Sequence, residues 1–122
     1  MHSLLIIAHG SRREASNSEV RDLAKKVAAI AVNQFDNVSS AFLELAEPDI
    51  PTGIHLCAEA GATEITIVPY FLSAGRHVVE DIPREVDAAA IQHPSVKINL
   101  QSHIGSGGEM PALLLRFACE SG

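Results

Sequence analysis

Four short apolar runs alternate along the chain with stretches in which apolar residues recur every three or four positions. Leu4–Ala8 is continuously apolar, as suits a strand buried on both faces of a parallel sheet. Ser16 and Glu19 have the spacing of a helix capping box. Val20, Leu23, Ala24, Val27, Ile30 and Ala31 follow at helical intervals and predict a helix over about 16–33. Val38–Leu45 reads as the second strand, ending in Glu44-Leu-Ala-Glu47-Pro48. A helix over about 50–60 comes next, with Ile50, Ile54, Cys57 and Ala58 on one stripe and Gly61 as its stop. Glu64–Pro69 is the third strand, and the loop Tyr70–His77 leaves it. Asp81 is placed to cap a helix with Pro83 in its first turn and a stripe of Ile82, Val86, Ala89 and Ala90. His93-Pro94 ends that helix. Val96–Leu100 is the fourth strand, Gly105–Gly108 a flexible loop, and Met110–Cys119 a last amphipathic helix. This alternation predicts an α/β sandwich with a mostly parallel four-stranded sheet and helices on both faces.

Composition bounds the reading. The chain has 122 residues, 47% of them hydrophobic and 20% charged, which fits one globular domain over residues 1–122. No apolar run approaches the roughly 18–20 residues that span a bilayer. The first residues lack the basic stretch of a signal peptide, so a cytoplasmic location is expected. Cys57 and Cys119 each fall on the apolar side of a helix and are read as reduced core thiols. A net charge of −6 with only nine basic side chains argues against nucleic acid and anionic membranes as partners. An anionic small ligand would have to be held locally, and Arg12, Arg13 and Arg76 sit in the two loops described next.

The candidate chemistry lies at the ends of strands. In an open parallel sheet the loops leaving the carboxyl ends form the ligand crevice. Ile6-Ile-Ala-His9-Gly-Ser-Arg-Arg13 and Val68-Pro-Tyr-Phe-Leu-Ser-Ala-Gly-Arg-His77 each carry a strand into such a loop, with one histidine apiece. A strand-end histidine is often only satisfied by a backbone carbonyl, and a pre-helix histidine is often only solvated. Both arriving at one sheet edge favours a joint role, since neutral imidazole binds divalent first-row metals and moves protons near neutral pH. Glu44, ending the second strand, would face the same crevice as a proton acceptor or further ligand. Glu80 and Asp81 read as helix N-terminal charges, and His2, His55 and His93 as surface residues. His103, after the fourth strand, is a weaker third candidate. The small residues of Phe71–Arg76 leave room for a bulky flat ligand whose acidic groups successive N–H groups could meet.

At these residues the chain resembles the class II tetrapyrrole metal chelatases, and within them the small CbiX and SirB sirohydrochlorin chelatase group. The matching pieces are Ala8-His-Gly-Ser11, Phe42-Leu-Glu-Leu-Ala-Glu-Pro48, Gly61-Ala-Thr63 with Ile67-Val-Pro69, Gly75-Arg-His77 and Asp81-Ile-Pro83, in register over roughly residues 3–100. The resemblance implies a chelatase-like three-layer sandwich that inserts a divalent metal, Co²⁺ in the first place and Fe²⁺ in the second, into sirohydrochlorin for cobalamin or sirohaem. It implies His9 as metal ligand and proton acceptor and His77 as the second metal ligand. It gives Glu44 to catalysis and the macrocycle, and Phe71, Leu72, Ser73, Ala74, Gly75 and Arg76 to substrate contact. The metal would be a substrate, with no permanently bound cofactor. Larger members carry two such lobes in one chain, so the single lobe here implies a homodimer. After the fourth strand the chain reads Ser102-His-Ile-Gly105, where relatives more often place a proline before Ile-Gly, and this leaves His103 without an implied role.

Two other readings compete. A non-catalytic metal or tetrapyrrole carrier would keep His9 and His77 without needing a proton acceptor. A histidine-type phosphotransferase also opens its site with His-Gly after the first strand, but it wants an arginine immediately before the histidine, where this chain has Ala8.

Overall fold

A computed structural model describes residues 1–120. The elements run β1 (His2–Ala8), α1 (Glu14–Ile30), β2 (Asn37–Phe42), α2 (Ile50–Glu59), β3 (Glu64–Pro69), α3 (Ile82–Gln92), β4 (Lys97–Leu100) and α4 (Met110–Cys119). A π-helical turn, His77–Asp81, leads into α3, and a 3₁₀ turn, Ile104–Ser106, follows β4. All strand pairs are parallel, in the order β2-β1-β3-β4. The chain thus adds β2 on one side of β1 and then crosses to build β3 and β4 on the other. The carboxyl ends of β1 and β3 are the point where the winding reverses, and loops diverge there to leave a crevice.

Alternate residues of β1 serve two cores. Leu5 and Ile7 pack with Ile65 and Ile67 against Ile50, Ile54 and Cys57 of α2 and Ile82, Val86 and Ala89 of α3. Leu4 and Ile6 face the other way, onto Ala24 and Val27 of α1 with Phe35, Val38 and Val68. A central strand buried on both faces accounts for the unbroken apolar run.

Several boundaries differ from the sequence reading. The first helix spans Glu14–Ile30 rather than 16–33, so Ser16 lies inside it and caps nothing, and Ile30 is exposed. The second strand ends at Phe42, although Leu43 N–H still donates to Ala8 O at 2.9 Å before the chain turns at Leu45, with φ 65°. Gly61 ends α2 as expected, with φ +107°, and Asp49 caps its start by accepting from Thr52 N–H at 2.9 Å. Cys57 is buried as expected, and burial pushes its thiol up from the usual range. Cys119 is exposed, which corrects its reading as a core thiol.

The reason lies in α4, which has no buried residue and leaves Leu114, Leu115 and Phe117 about two-thirds exposed. On the α1 face, β3 and β4 present Glu64, Thr66 and Asn99 in register instead of an apolar strip. Asn99 donates to Glu64 at 2.7 Å, and His2 Nε2 lies 2.8 Å from Thr66 Oγ1, so His2 is half-buried and tied down rather than solvated. That polar row offers an apolar helix nothing to cover.

Candidate functional site

The first loop is built around Gly10. Its φ is +95°, and a Cβ there would lie 1.7 Å from the carbonyl oxygen of Glu44. Only glycine lets the segments following β1 and β2 close this far, and Glu44 N–H then donates to His9 O at 3.0 Å. Buried Asn17 fixes the next residue from both sides: Ser11 N–H donates to its Oδ1 at 2.9 Å, and its Nδ2 donates to Ser11 O at 2.8 Å. Leu45, in the loop that leaves β2, has φ 65°. The result brings His9 Nε2 within 3.4 Å of Glu44 Oε1, both side chains about half exposed.

The second loop starts where Tyr70 N–H donates to Ile7 O at 2.7 Å. Phe71 turns into the core, while Leu72, Ser73, Ala74, Gly75 and Arg76 are exposed. Gly105 matches Gly10 here: a Cβ on it would lie 1.8 Å from Leu72 O, and its N–H donates to Phe71 O at 3.0 Å. The chain then enters helical turns at Gly75, whose carbonyl accepts from Val78 and Val79, and His77 opens the π turn. His77 therefore lies on a helical turn, where the sequence had placed it in a loop.

The rings of His9 and His77 meet with centroids 4.7 Å apart and planes inclined by 37°. His77 Nδ1 lies 2.7 Å from Asp81 Oδ2, and Arg84 Nη2 donates to Oδ1 of the same carboxylate at 2.9 Å. The His77 hydrogen bond, with the Arg84 guanidinium beside it, holds the Asp81 carboxyl below the usual range. Asp81 is thus no helix cap, since its backbone is already helical and its side chain caps nothing.

Of the sequence candidates, the fold brings His9, Glu44 and His77 together at the carboxyl edge of β1, β2 and β3. Among the described residues no three His, Cys, Asp or Glu side chains converge as a ready-made metal set. Arg76 lies 3.7 Å from Glu80 and is largely exposed, while Arg12 and Arg13 are exposed ahead of α1. The 103–106 segment folds back on itself, Ser106 Oγ donating to His103 O at 2.7 Å, and no ring contact joins His103 to the pair among the described residues. A concavity of about 760 Å³ opens beside Glu44, lined by Leu43–Asp49, Thr52 and Leu56. Another of about 710 Å³, between Ile104 and Arg116 of α4, has no histidine in its walls and lies against the uncovered helix.

Sequence reasoning missed Asn17 and the pairing of Asp81 with His77. The second was legible as a His-x-x-x-Asp spacing, which puts the two side chains on one helical face once the helix is known to include His77.

The CbiX family model matches residues 3–121. The chain is 35% identical over 108 residues to the sirohydrochlorin ferrochelatase of Bacillus subtilis, covering 88% of this chain and 41% of that protein. It superposes on B. subtilis SirB, solved with Fe³⁺, with a TM-score of 0.83 and 32% identity, covering 94% of this chain and 45% of the other. A Marinobacter aquaeolei protein described as a cobalamin (vitamin B12) biosynthesis CbiX protein superposes with a TM-score of 0.78 and 29% identity, covering 97% and 94% of the two chains. The chain spans about half the length of the curated relatives it matches. With its family model matched nearly end to end and His9 and His77 brought together at one sheet edge, this chain belongs to the CbiX family.

Proposed function

We propose that this chain inserts a divalent metal, Co²⁺ first and Fe²⁺ second, into sirohydrochlorin. The observation that carries the reading is the meeting of His9 and His77 where the winding of the sheet reverses, with Glu44 3.4 Å from His9. Metal insertion removes two protons from the macrocycle nitrogens as M²⁺ enters. The site must therefore hold a partly dehydrated metal and accept protons. His9 and His77 supply neutral nitrogen donors, too few to saturate a metal, so positions stay open for the incoming pyrrole nitrogens. As the metal passes to the macrocycle, His9 becomes free to take one proton and Glu44 the other, and both are exposed enough to release them to water. A proton acceptor beside the metal donors favours insertion over a carrier role. Relatives bear the names of iron and of cobalt chelatases, and imidazole–carboxylate donors rank Co²⁺ above Fe²⁺. Exposed Leu72–Arg76 would meet the macrocycle, with Arg12, Arg13 and Arg76 offsetting its carboxylates.

The proposal takes residues 1–122 as one lobe and a cytoplasmic homodimer as the working unit. Relatives about twice as long support the pairing, as does the uncovered face of α4, which a second copy would cover. Sedimentation should give a dimer, and Leu115→Glu with Phe117→Glu a folded monomer; a wild-type monomer would refute the pairing. The activity test is sirohydrochlorin absorbance followed with added Co²⁺ or Fe²⁺. Turnover above the uncatalysed rate supports the chelatase, stoichiometric binding without turnover indicates a carrier, and an unchanged spectrum refutes both.

A further inference from the structure

We propose that Asp81 is a positioning residue for the metal site, fixing the tautomer and the aim of His77. The inference rests on the chelatase reading for its purpose but on independent geometry for its substance. An ionised carboxylate only accepts hydrogen bonds. At 2.7 Å from Asp81 Oδ2, His77 Nδ1 must therefore carry the hydrogen, which leaves the Nε2 lone pair free. Ring nitrogens that bind metal are commonly set in this way by a partner on the other nitrogen.

Three features make the pair more than a chance surface contact. Both carboxylate oxygens are engaged, Oδ2 by His77 and Oδ1 by Arg84 at 2.9 Å, so the acceptor cannot rotate freely. The residue after Asp81 is Ile82, fully buried against the sheet, so the carboxylate is attached to an immobile part of α3. Finally, His77 and Asp81 open and close one π turn, closed by Ile82 N–H on His77 O. Such turns are uncommon and recur at functional sites. His9, in contrast, is oriented by the loop backbone and faces Glu44, so the two rings are aimed by separate devices.

Nitrogen-15 spectra of the His77 ring in the metal-free protein, with Asp81→Ala and Asp81→Asn, test this directly. In the neutral ring, wild type should show the Nδ1–H tautomer and both variants should lose that preference. The Co²⁺ dissociation constant should rise about 10–100-fold. In turnover, the KM for Co²⁺ should rise while the KM for sirohydrochlorin stays unchanged, and Asp81→Glu should recover part of the affinity. An Nε2–H tautomer in wild type would overturn the inference. So would a folded variant with wild-type affinity for Co²⁺. Should the alanine variant fail to fold, the wild-type tautomer and the near-isosteric Asp81→Asn still decide. The expected tautomer and affinity changes in a protein without turnover would uphold the positioning role and reject the chelatase reading.

Discussion

The molecule contains two histidine pairs of nearly the same make-up at opposite ends of its sheet. At the carboxyl edge, His9 and His77 lie 4.7 Å apart with Glu44 3.4 Å from His9. At the amino edge, His55 midway along α2 and His93 at the end of α3 lie 5.4 Å apart, with Glu59 3.3 Å from His55. Inventory alone would not separate them. The difference lies in what stands behind each ring. The first pair meets where the winding reverses, with Gly10 and Asn17 shaping one loop and Asp81 with Arg84 holding the other histidine. The second pair sits on helices, His55 midway along α2 and His93 at the end of α3, and its one carboxylate contact is an i,i+4 neighbour on the same exposed helix surface, an arrangement of small energetic value. A site is distinguished by the support its donors receive rather than by their number.

The sharpest way to break this comparison is to remove, one at a time, the rings at the carboxyl edge. His9→Ala should lower metal insertion by about 10²–10⁴-fold, because a ligand and a proton acceptor go together; His77→Ala should act mainly through the KM for the metal. The loop that holds His9 is the next target. Gly10→Ala must move Glu44 or the loop, since its Cβ would meet the Glu44 carbonyl. It should destabilise the fold by about 2 kcal/mol or more in urea titration.

A smaller effect concerns α2, which runs from one end of the sheet to the other. Asp49→Ala should cost about 1 kcal/mol by losing the cap, and Asp49→Asn much less. The Asp49 carboxyl is held below its usual range by its hydrogen bonds from Thr52. Between the folded and unfolded values the unfolded chain binds more protons. The ionised cap therefore contributes fully above the unfolded value and is lost as pH falls through the folded one. Wild type should lose stability relative to Asp49→Asn in acid, as followed by circular dichroism. The least effect is expected at the amino edge, where His55→Ala with His93→Ala should leave insertion within about twofold, as surface changes away from a site usually do.

Much of this was legible in the chain. The apolar runs of β1 and β3 and the stripe Ile50, Ile54, Cys57 marked buried elements, and strand-end logic put His9, Glu44 and His77 at one edge. The failures share a cause, since sequence periodicity reports local geometry and not what an element meets. Ser16 and Glu19 have cap spacing, yet the helix begins at Glu14, and it is Asn17, inside its first turn, that bonds the preceding loop at Ser11. The amphipathic pattern of α4 named a helix but not its partner, and the polar row Glu64, Thr66, Asn99 denies it a seat on its own sheet. Asp81 looked like a cap because the helix seemed to start there, whereas the turn begins at His77 and turns the carboxylate into that residue's partner.

Titration with paramagnetic Co²⁺, followed through the histidine ring resonances, tests most directly which pair is the metal site. The account predicts that His9 and His77 broaden together at the lowest metal concentrations while His55 and His93 stay sharp. Broadening of His55 and His93 first, with His9 and His77 unaffected, would contradict it.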